Sequence, residues 1–510
     1  MKTLLVGWDG ASHNLVQKWL ERLPNLRKIA RRGVFTPLQT TPLVISSCAW
    51  STLATGLNAG KHGIYDFYRD FTTDNSYFRM PISSKMRAGL PFWKILNFHE
   101  HSIGLVNVPV TYPAEKVKGF MVTGPMTPEM SQPGICYPPG LLDAFNKENY
   151  IMELYDAKER PRDEIIQETH NIVASRMELI RFLLSKHKVD LLFVVFTMID
   201  RFSHLFWHYY DESHPYRKTE TPDNLSKYRD SLFDLYKLLD SSLGELEALF
   251  SPSHVIIVSD HGFRALKNLV QVNKVLDRLG WLSFKPKTEW DRVSNTRLNL
   301  EVPYIYGKVD WSRTQAYSIG RRGAVYLNLE AREPMGIVSR AEYQQIVHQL
   351  KEALEKELEG IVDNVILRNE VFWGPYIDKA PDLILKLKEG YYPLGYAYFL
   401  DEEEYIFENT IKELPIETGI EDKEGILVAA GPSIIKSQDI EAGLTDIAPT
   451  ILYLYGCPIP AETDGKVLPI FDHKPIPQRK NYPEKDRSEF DYDEEEAETV
   501  RKRLESLGYI

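Results

Sequence analysis

Acidic side chains follow three short apolar stretches that have the composition of buried strands. Asp9 comes directly after "TLLVGW", Asp260 ends "HVIIVSD", and Asp200 lies just beyond "DLLFVVFT". Charges are seldom left at the end of a buried strand without a partner or a metal. Because ligands of parallel sheets bind outside the carboxyl ends of the strands, we expect these three carboxylates to lie close together.

Two histidines accompany these carboxylates. His261 is adjacent to Asp260, and His204 follows Asp200 by four residues, which on a helix places both side chains on one face. By itself an Asp-x-x-x-His pair also fits a helix cap or a surface pair. Together with Asp9, however, these residues indicate a metal centre of carboxylates and imidazoles. That set of ligands suits zinc or manganese better than calcium.

A stretch rich in hydroxyl groups, "ISSCAWSTLATG", runs from Ile45 to Gly56 and offers several nucleophiles. The candidates are Ser46, Ser47, Cys48, Ser51 and Thr52. A group at the start of a helix would lie beside backbone N–H groups that favour an anion. Hydroxyls deeper in the helix are expected to pack or to bond back to the helix backbone.

Strand and helix patterns alternate along most of the chain. A long amphipathic stretch at 163–188 precedes the apolar run at 190–197, and another at 224–250 precedes the run at 254–260. Such alternation predicts an α/β fold with a doubly wound, mostly parallel sheet and helices on both faces.

The predicted catalytic core consists of residues 1–266 and 381–473. Between them, loops rich in Arg, Asn and Pro and mixed strand and helix patterns indicate an inserted α+β subdomain at 267–380, near the active site. The main sheet is expected to resume with "PDLILKL". Residues 474–510 read as an acidic tail that ends in a helix, and its acidic run has the composition of a solvated face.

The order of these motifs resembles that of the alkaline phosphatase superfamily. "WDG", "SSCAWSTLATG…GKHGI", the Asp-x-x-x-His pair and "SDHG" follow one another, and the resemblance runs from Lys2 to about Leu468. Within the superfamily the chain looks most like the type I phosphodiesterase/nucleotide pyrophosphatase branch, and its end, "LESLGYI", looks like that of microbial members. The resemblance implies an alkaline-phosphatase-like core and two divalent metal ions, zinc or manganese, with magnesium also possible.

The resemblance also implies which residues hold each ion. By match of motif, Asp9, Asp260 and His261 would hold one ion. Asp200 and His204 would hold the other.

The nucleophile of the family lies ten residues before the glycine of the "TG" pair, and counting back from Gly56 gives Ser46. Its oxygen would also be a metal ligand, and coordination would lower the pKa of the hydroxyl and aim it at phosphorus. Ser47 is the alternative if the register shifts by one. Cys48 lacks the Pro and Arg of the C-x-P-x-R setting found in sulfatases, so a buried packing role is expected.

The sequence departs from the family pattern at two places. Glu421 stands where a histidine usually completes the second metal site, and a carboxylate there would favour manganese or magnesium over zinc. An ordinary acidic surface loop is the alternative. Phe67 stands where nucleotide pyrophosphatases carry an asparagine that contacts phosphate. The candidates to supply that contact instead are Lys61, Arg69 and Arg201.

Composition narrows the class of protein. Apolar residues make up 43% and charged residues 26% of the chain, as in an ordinary globular protein. The formal net charge of −11 argues against a nucleic-acid-binding face, which is basic in proteins that track phosphate backbones. The three cysteines form no C-x-x-C pair, which fits a reducing compartment. We find no secretory signal or membrane-spanning run, and expect a soluble, cytoplasmic protein.

These observations together predict a metal-dependent phosphohydrolase that cleaves phosphodiester or pyrophosphate bonds through a phosphoseryl intermediate. A phosphomonoesterase and a phosphoryl transferase or mutase of the same superfamily are alternatives. A degenerate member that binds a phosphorylated ligand without turnover is another. The expected partner is a small phosphorylated substrate, with no nucleic-acid or membrane partner, and the sequence predicts no oligomeric state.

Overall fold

The computed structural model of the chain describes residues 1–73, 76–145, 149–158, 160–286, 288–289, 308–320, 322–395, 404–410, 417–437, 440–473, 476–483 and 492–507. Parts of the predicted insertion (290–307) and of the predicted tail (484–491 and 508–510) lie outside the described residues.

The described residues form short strands and helices in an alternating order. The strands are β1 Thr3–Trp8, β2 Val34–Gln39, β3 Tyr68–Thr73, β4 Ser76–Pro81, β5 Ile103–Val108, β6 Gly119–Thr123, β7 Cys136–Tyr137, β8 Leu191–Phe196, β9 His254–Val258, β10 Gly262–Ala265, β11 Asn268–Gln271, β12 Ala316–Ser318, β13 Ala324–Leu327, β14 Val362–Leu367, β15 Leu383–Leu387, β16 Tyr391–Leu394, β17 Ile406–Glu408, β18 Gly419–Asp422, β19 Glu424–Ala430, β20 Ala442–Gly443, β21 Ile459–Pro460 and β22 Arg479–Lys480. The α-helices are α1 His13–Trp19, α2 Pro24–Arg32, α3 Ser46–Thr55, α4 Ala59–His62, α5 Phe92–Phe98, α6 Arg162–Lys186, α7 Met198–Tyr210, α8 Pro222–Lys227, α9 Ser231–Phe250, α10 Val272–Arg278, α11 Tyr343–Glu357, α12 Arg368–Val371, α13 Ile447–Leu454 and α14 Glu494–Leu507. Each helix in the described part of the chain is too short or too polar to cross a lipid bilayer.

The largest sheet has nine strands in the order β20-β2-β19-β9-β1-β8-β5-β6-β7. From β9 to β6 the neighbouring strands run parallel to one another. In contrast, β19 runs antiparallel to both of its neighbours, β2 and β9. The predicted α/β fold with a doubly wound, mostly parallel sheet is confirmed.

Helices cover both faces of this sheet because its central strands are apolar on both sides. Leu4 and Val6 of β1 contribute to one core, together with apolar residues of α1, α2, α6, α7 and α9. Leu5 contributes to a second core, with residues of α3, α5 and α13. All six residues of β1 are buried, as are all six of β8. Burial on two faces fits the unbroken apolar runs of these strands.

The topology brings three predicted site residues to one edge of the sheet. β9, β1 and β8 are direct neighbours and parallel. Asp260, Asp9 and Asp200 follow the carboxyl ends of these strands within a few residues. Because parallel neighbours end on the same side, their carboxylates converge there.

A second, antiparallel sheet has the order β12-β13-β15-β14 and packs against α11 around its own apolar core. The sequence analysis placed "PDLILKL" in the main sheet, but this segment forms β15, which pairs with β13 and β14. An apolar run predicts a strand without identifying the sheet that the strand joins. The second sheet therefore continues to Leu387, past the boundary predicted at residue 380.

The C-terminal helix α14 packs against the body of the protein. Val500 and Leu504 are buried in the same core as β1 and β8. The Tyr492 hydroxyl lies 3.0 Å from the carbonyl oxygens of Ile82 and Met126. The predicted helix is present, but this end of the tail is not simply solvated, because its apolar residues at i and i+4 form a stripe that the surrounding charges obscure in the sequence.

Replacing Leu504 by alanine should weaken the docking of α14, since removing a buried leucine side chain typically costs about 2–5 kcal/mol. We expect limited proteolysis to cleave the C-terminal segment at least ~10-fold faster in Leu504→Ala, because cleavage follows the population of the open form. Lys502→Ala, on the exposed face of the same helix, is the control. Equal cleavage rates in Leu504→Ala, Lys502→Ala and the wild type would contradict the described docking.

Candidate active site

Asp9, Asp260 and His261 form a first group of buried ligand atoms, which lie within 4.8 Å of one another. His261 Nε2 lies 3.6 Å from Asp9 Oδ1 and 3.4 Å from Asp260 Oδ2. All three side chains are at most 3% exposed. Adjacent parallel strands therefore place two carboxylates and one imidazole around one point.

Hydrogen bonds fix one oxygen of each carboxylate in this group. The Trp50 indole N–H donates to Asp9 Oδ2 at 2.8 Å, and the Gly10 N–H donates to Asp260 Oδ1 at 3.3 Å. Gly10 has a φ of +78°, and a Cβ there would lie 2.9 Å from the Asp200 Cα atom, so this tight turn requires glycine.

Asp200, His204 and Glu421 form a second group, again with ligand atoms within 4.8 Å of one another. Asp200 and His204 lie on α7, whose helical spacing places them on one face as the sequence predicts. Glu421 comes from β18, which pairs antiparallel with β10. Its side chain is 1% exposed, so the alternative of an ordinary acidic surface loop does not describe it.

Both histidines are oriented by a backbone carbonyl behind them. His261 Nδ1 lies 3.0 Å from the Gly262 carbonyl oxygen, and His204 Nδ1 lies 3.0 Å from that of Gly419. With Nδ1–H donating to these carbonyls, Nε2 is the atom that faces each group of carboxylates. This is the orientation that metal-ligating histidines adopt, because the second nitrogen is held by an outer hydrogen bond.

Several buried carboxylate oxygens have no hydrogen-bond partner among the described residues. They are Asp9 Oδ1, Asp260 Oδ2 and Glu421 Oε2. Buried, unpaired carboxylate oxygens are costly unless a cation accompanies them. Together with the two Nε2 atoms they offer an oxygen and nitrogen donor set that fits divalent ions such as zinc or manganese.

Charge perturbs the titration of both groups. Burial, followed by repulsion from Asp260 and Asp200, raises the pKa of Asp9 well above its usual value. Burial also raises the pKa of Asp260 to about 6. In the second group, burial disfavours a charged His204, but Glu417 and Asp200 outweigh it and raise the pKa of His204 to about 10. The carboxylates that stabilise a protonated imidazole there would equally favour a divalent ion in place of the proton.

Ser46 is the first residue of α3, and its Oγ lies 3.2 Å from His261 Nε2. Ser47 Oγ is buried and has no hydrogen-bond partner in the described part of the chain. Burial raises the pKa of the Cys48 thiol to about 12, which makes a thiolate nucleophile unfavourable at neutral pH. Deeper in the helix, Thr55 Oγ1 donates to the Ser51 carbonyl, the back-bonding expected from the sequence.

The three cations that the sequence offers for phosphate lie in different surroundings. Arg201 is buried within the second group and donates to Asp200 Oδ2 at 2.5 Å. Lys61 Nζ instead donates to Asp464 Oδ1 at 2.5 Å and to the Glu462 carbonyl. Arg69 lies on β3, opposite Met80 of β4.

Sequence reasoning missed three charged residues around the second group. Glu417 Oε2 lies 3.2 Å from His204 Nδ1, and Glu153 Oε2 lies 3.3 Å from Arg201 Nη2. Arg322, in the loop between β12 and β13, donates to Glu421 Oε1. Glu417 is four residues before Glu421, a spacing that could have drawn attention to it, whereas the other two have no local signal.

Replacing Asp260 by asparagine should stabilise the metal-free protein at pH 7.5. Because the folded-state pKa is raised from 3.8 to about 6, the Asp260 charge destabilises the folded state as pH rises through this range. A shift of about two units corresponds to about 3 kcal/mol above the folded pKa. Asparagine removes the charge and can still accept the Gly10 N–H. We expect a higher unfolding midpoint for Asp260→Asn in chelator at pH 7.5, and none of this gain near pH 4.

Asp190→Asn is the control with the opposite sign. Although burial opposes it, hydrogen bonds from Ser102 lower the pKa of Asp190, so neutralising it should destabilise the protein at pH 7.5. If Asp260→Asn were as destabilising as Asp190→Asn in chelator, the repulsion described for the first group would be wrong.

Comparisons with known proteins agree with this fold. The chain matches a solved structure of the murine ectonucleotide pyrophosphatase/phosphodiesterase 5 with a TM-score of 0.51 and 16% identity, over 92% of this chain and 100% of that one. The human ectonucleotide pyrophosphatase/phosphodiesterase 5 gives a TM-score of 0.50, with the same identity and coverage. Such distant likeness shows a shared fold. No curated protein matches the chain.

A sequence profile covers a larger share of the chain than any single motif. The profile described as "Type I phosphodiesterase / nucleotide pyrophosphatase" matches residues 3–406, which contain five of the six predicted metal-ligating aspartates and histidines and glutamate. The match spans well over half of the 510 residues. The chain therefore belongs to the type I phosphodiesterase/nucleotide pyrophosphatase family.

Proposed function

We propose that the protein is a two-metal phosphohydrolase that cleaves phosphodiester or pyrophosphate bonds, with Ser46 as its nucleophile. The observation that carries the proposal is the convergence of two buried ligand groups beside one hydroxyl. Asp200 Oδ1 and Ser46 Oγ lie 3.6 Å and 3.2 Å from the same atom, His261 Nε2, which joins the two groups at the nucleophile. Membership of the family supports the class of reaction.

The ligand roles follow the two groups. Asp9, Asp260 and His261 would hold the first ion, with Ser46 Oγ as a further ligand. The second ion would be held by Asp200, His204 and Glu421. We propose zinc or manganese, with magnesium possible, since a third carboxylate in place of a histidine makes the second group harder. Bound ions would lower the pKa of the serine hydroxyl and stabilise charge on the phosphoryl oxygens.

The chemistry at Ser46 then has two steps. In the first, Ser46 Oγ forms a bond to phosphorus as the bond from phosphorus to the leaving oxygen breaks, which gives a phosphoseryl intermediate. In the second, water adds to phosphorus, the bond to Oγ breaks, and a proton returns to the serine. Because α3 begins at Ser46, its first backbone N–H groups favour the anion in both steps.

The substrate that we propose is a small phosphodiester or pyrophosphate. The nucleotide base is left outside this proposal, because Phe67 replaces the phosphate-binding asparagine of nucleotide pyrophosphatases and is buried. Arg201 supports this site by bonding to Asp200, whereas Lys61 is engaged by Asp464. The three free cysteines are consistent with a cytoplasmic location, which we also propose.

Ser46→Ala should abolish hydrolysis of bis-p-nitrophenyl phosphate while leaving both ions bound, because the remaining ligands of both groups are intact. We expect a loss of at least ~1,000-fold in kcat, with metal content per chain measured by mass spectrometry. Ser47→Ala is the matched control, since its hydroxyl is buried on the same turn, and should retain activity.

Two outcomes would contradict the assignment of Ser46. One is a loss of hydrolysis in Ser47→Ala with an active Ser46→Ala. The other is a wild-type protein with both ions bound that hydrolyses neither diesters nor monoesters. Comparing release from bis-p-nitrophenyl phosphate and p-nitrophenyl phosphate, with and without an alcohol acceptor, separates the diesterase from the monoesterase and transferase alternatives.

A further inference from the structure

Arg322 connects the second sheet to the proposed active site. It lies in the loop between β12 and β13, and its guanidinium donates to Glu421 Oε1 and to the Val44 carbonyl oxygen. The side chain is only 9% exposed. One guanidinium therefore borders the second ligand group on one side and the segment that leads into Ser46 on the other.

The backbone at Arg322 is held in a conformation that few residues other than glycine adopt, with a φ of +83°. The surrounding bonds fix this loop: Ser318 Oγ donates to the Ala324 carbonyl at 2.8 Å, and Asn273 Nδ2 donates to the Ser318 carbonyl at 2.9 Å. Left-handed backbone in such residues costs free energy and concentrates at ligand-binding sites. Here it directs a buried cation towards Glu421.

A phosphoryl group on Ser46 would lie near this guanidinium. Val44 and Ser46 are two residues apart, so their Cα atoms are separated by at most about 7 Å. The planar fork of an arginine matches two oxygens of a phosphoryl group, which a lysine cannot reproduce. Glu421 alone is a sufficient partner for one charge, but the Val44 contact keeps the same side chain beside the nucleophile.

We propose that Arg322 contacts the phosphoryl oxygens of the substrate and is a catalytic residue that the second sheet supplies to the core. The inference rests on the proposed function and adds a cation for the phosphoryl group itself. Lys61, which the sequence offered for this role, bonds to Asp464 instead.

The test measures phosphate binding and metal content separately. Inorganic phosphate is titrated into the metal-loaded protein by calorimetry, and bound metal per chain is measured in the same samples. In Arg322→Ala we expect phosphate affinity to fall about 10-fold or more, and kcat/KM for bis-p-nitrophenyl phosphate about 100-fold, with unchanged metal content. Arg322→Lys should recover only part of both losses.

Two further variants separate contact from positioning. Lys386 Nζ donates to the Pro42 carbonyl at 2.6 Å, so Lys386→Ala removes another contact from the second sheet to the same segment. It should change phosphate affinity less than about threefold, because the phosphoryl oxygens lose no donor. Arg340→Ala, on an exposed part of the chain near the same sheet, controls for loss of surface charge.

Unchanged phosphate affinity in Arg322→Ala would overturn the inference. So would an equal loss in Lys386→Ala, or a loss that only accompanies loss of metal, because Arg322 would then be a positioning residue. A wild-type protein that binds metal and phosphate but hydrolyses no phosphate ester would sink the proposed function while leaving the role of Arg322 measurable.

Discussion

Negative charge concentrated at the buried ends of β9, β1 and β8 is the constraint on which the rest of the site depends. Carboxylates in a medium of low dielectric repel one another, so positive charge has to enter or protons have to be retained. The second group has cations of its own, since Arg201 bonds to Asp200 and Arg322 to Glu421. The first group is held only by neutral donors among the described residues, the Trp50 indole and the Gly10 amide. It therefore has the stronger electrostatic demand for a divalent ion.

The two parts of the fold contribute differently to this site. The core sheet supplies the ligand groups and the nucleophile, because parallel neighbouring strands end on one side and α3 starts there. The second sheet supplies cations to the segment before the nucleophile, through Arg322 at Val44 and Lys386 at Pro42. A rigid core can hold ligands at fixed distances, whereas an appended sheet can change the surroundings of the substrate without altering the ligands.

Much of the core could be predicted from sequence because its signals are local. Apolar runs that end in aspartate identify the strands and the edge where Asp9, Asp200 and Asp260 meet. The membership of β15 could not be predicted, since a five-residue apolar strand fits either sheet. Nor could the burial of α14, whose apolar stripe lies within an acidic segment. Arg322 was missed for the same reason: its contact with Glu421 joins residues 99 positions apart, and only the tertiary fold brings them together.

The central claim is that the two buried groups hold two divalent ions beside one serine. A crystal structure of the protein grown with manganese, with anomalous scattering recorded above and below the metal absorption edge, tests it most directly. The account predicts two anomalous peaks per chain, one between Asp9, Asp260 and His261 and one coordinated by Glu421 with the ligands on α7. A single peak, or peaks whose ligands exclude Glu421 or Asp260, would contradict it.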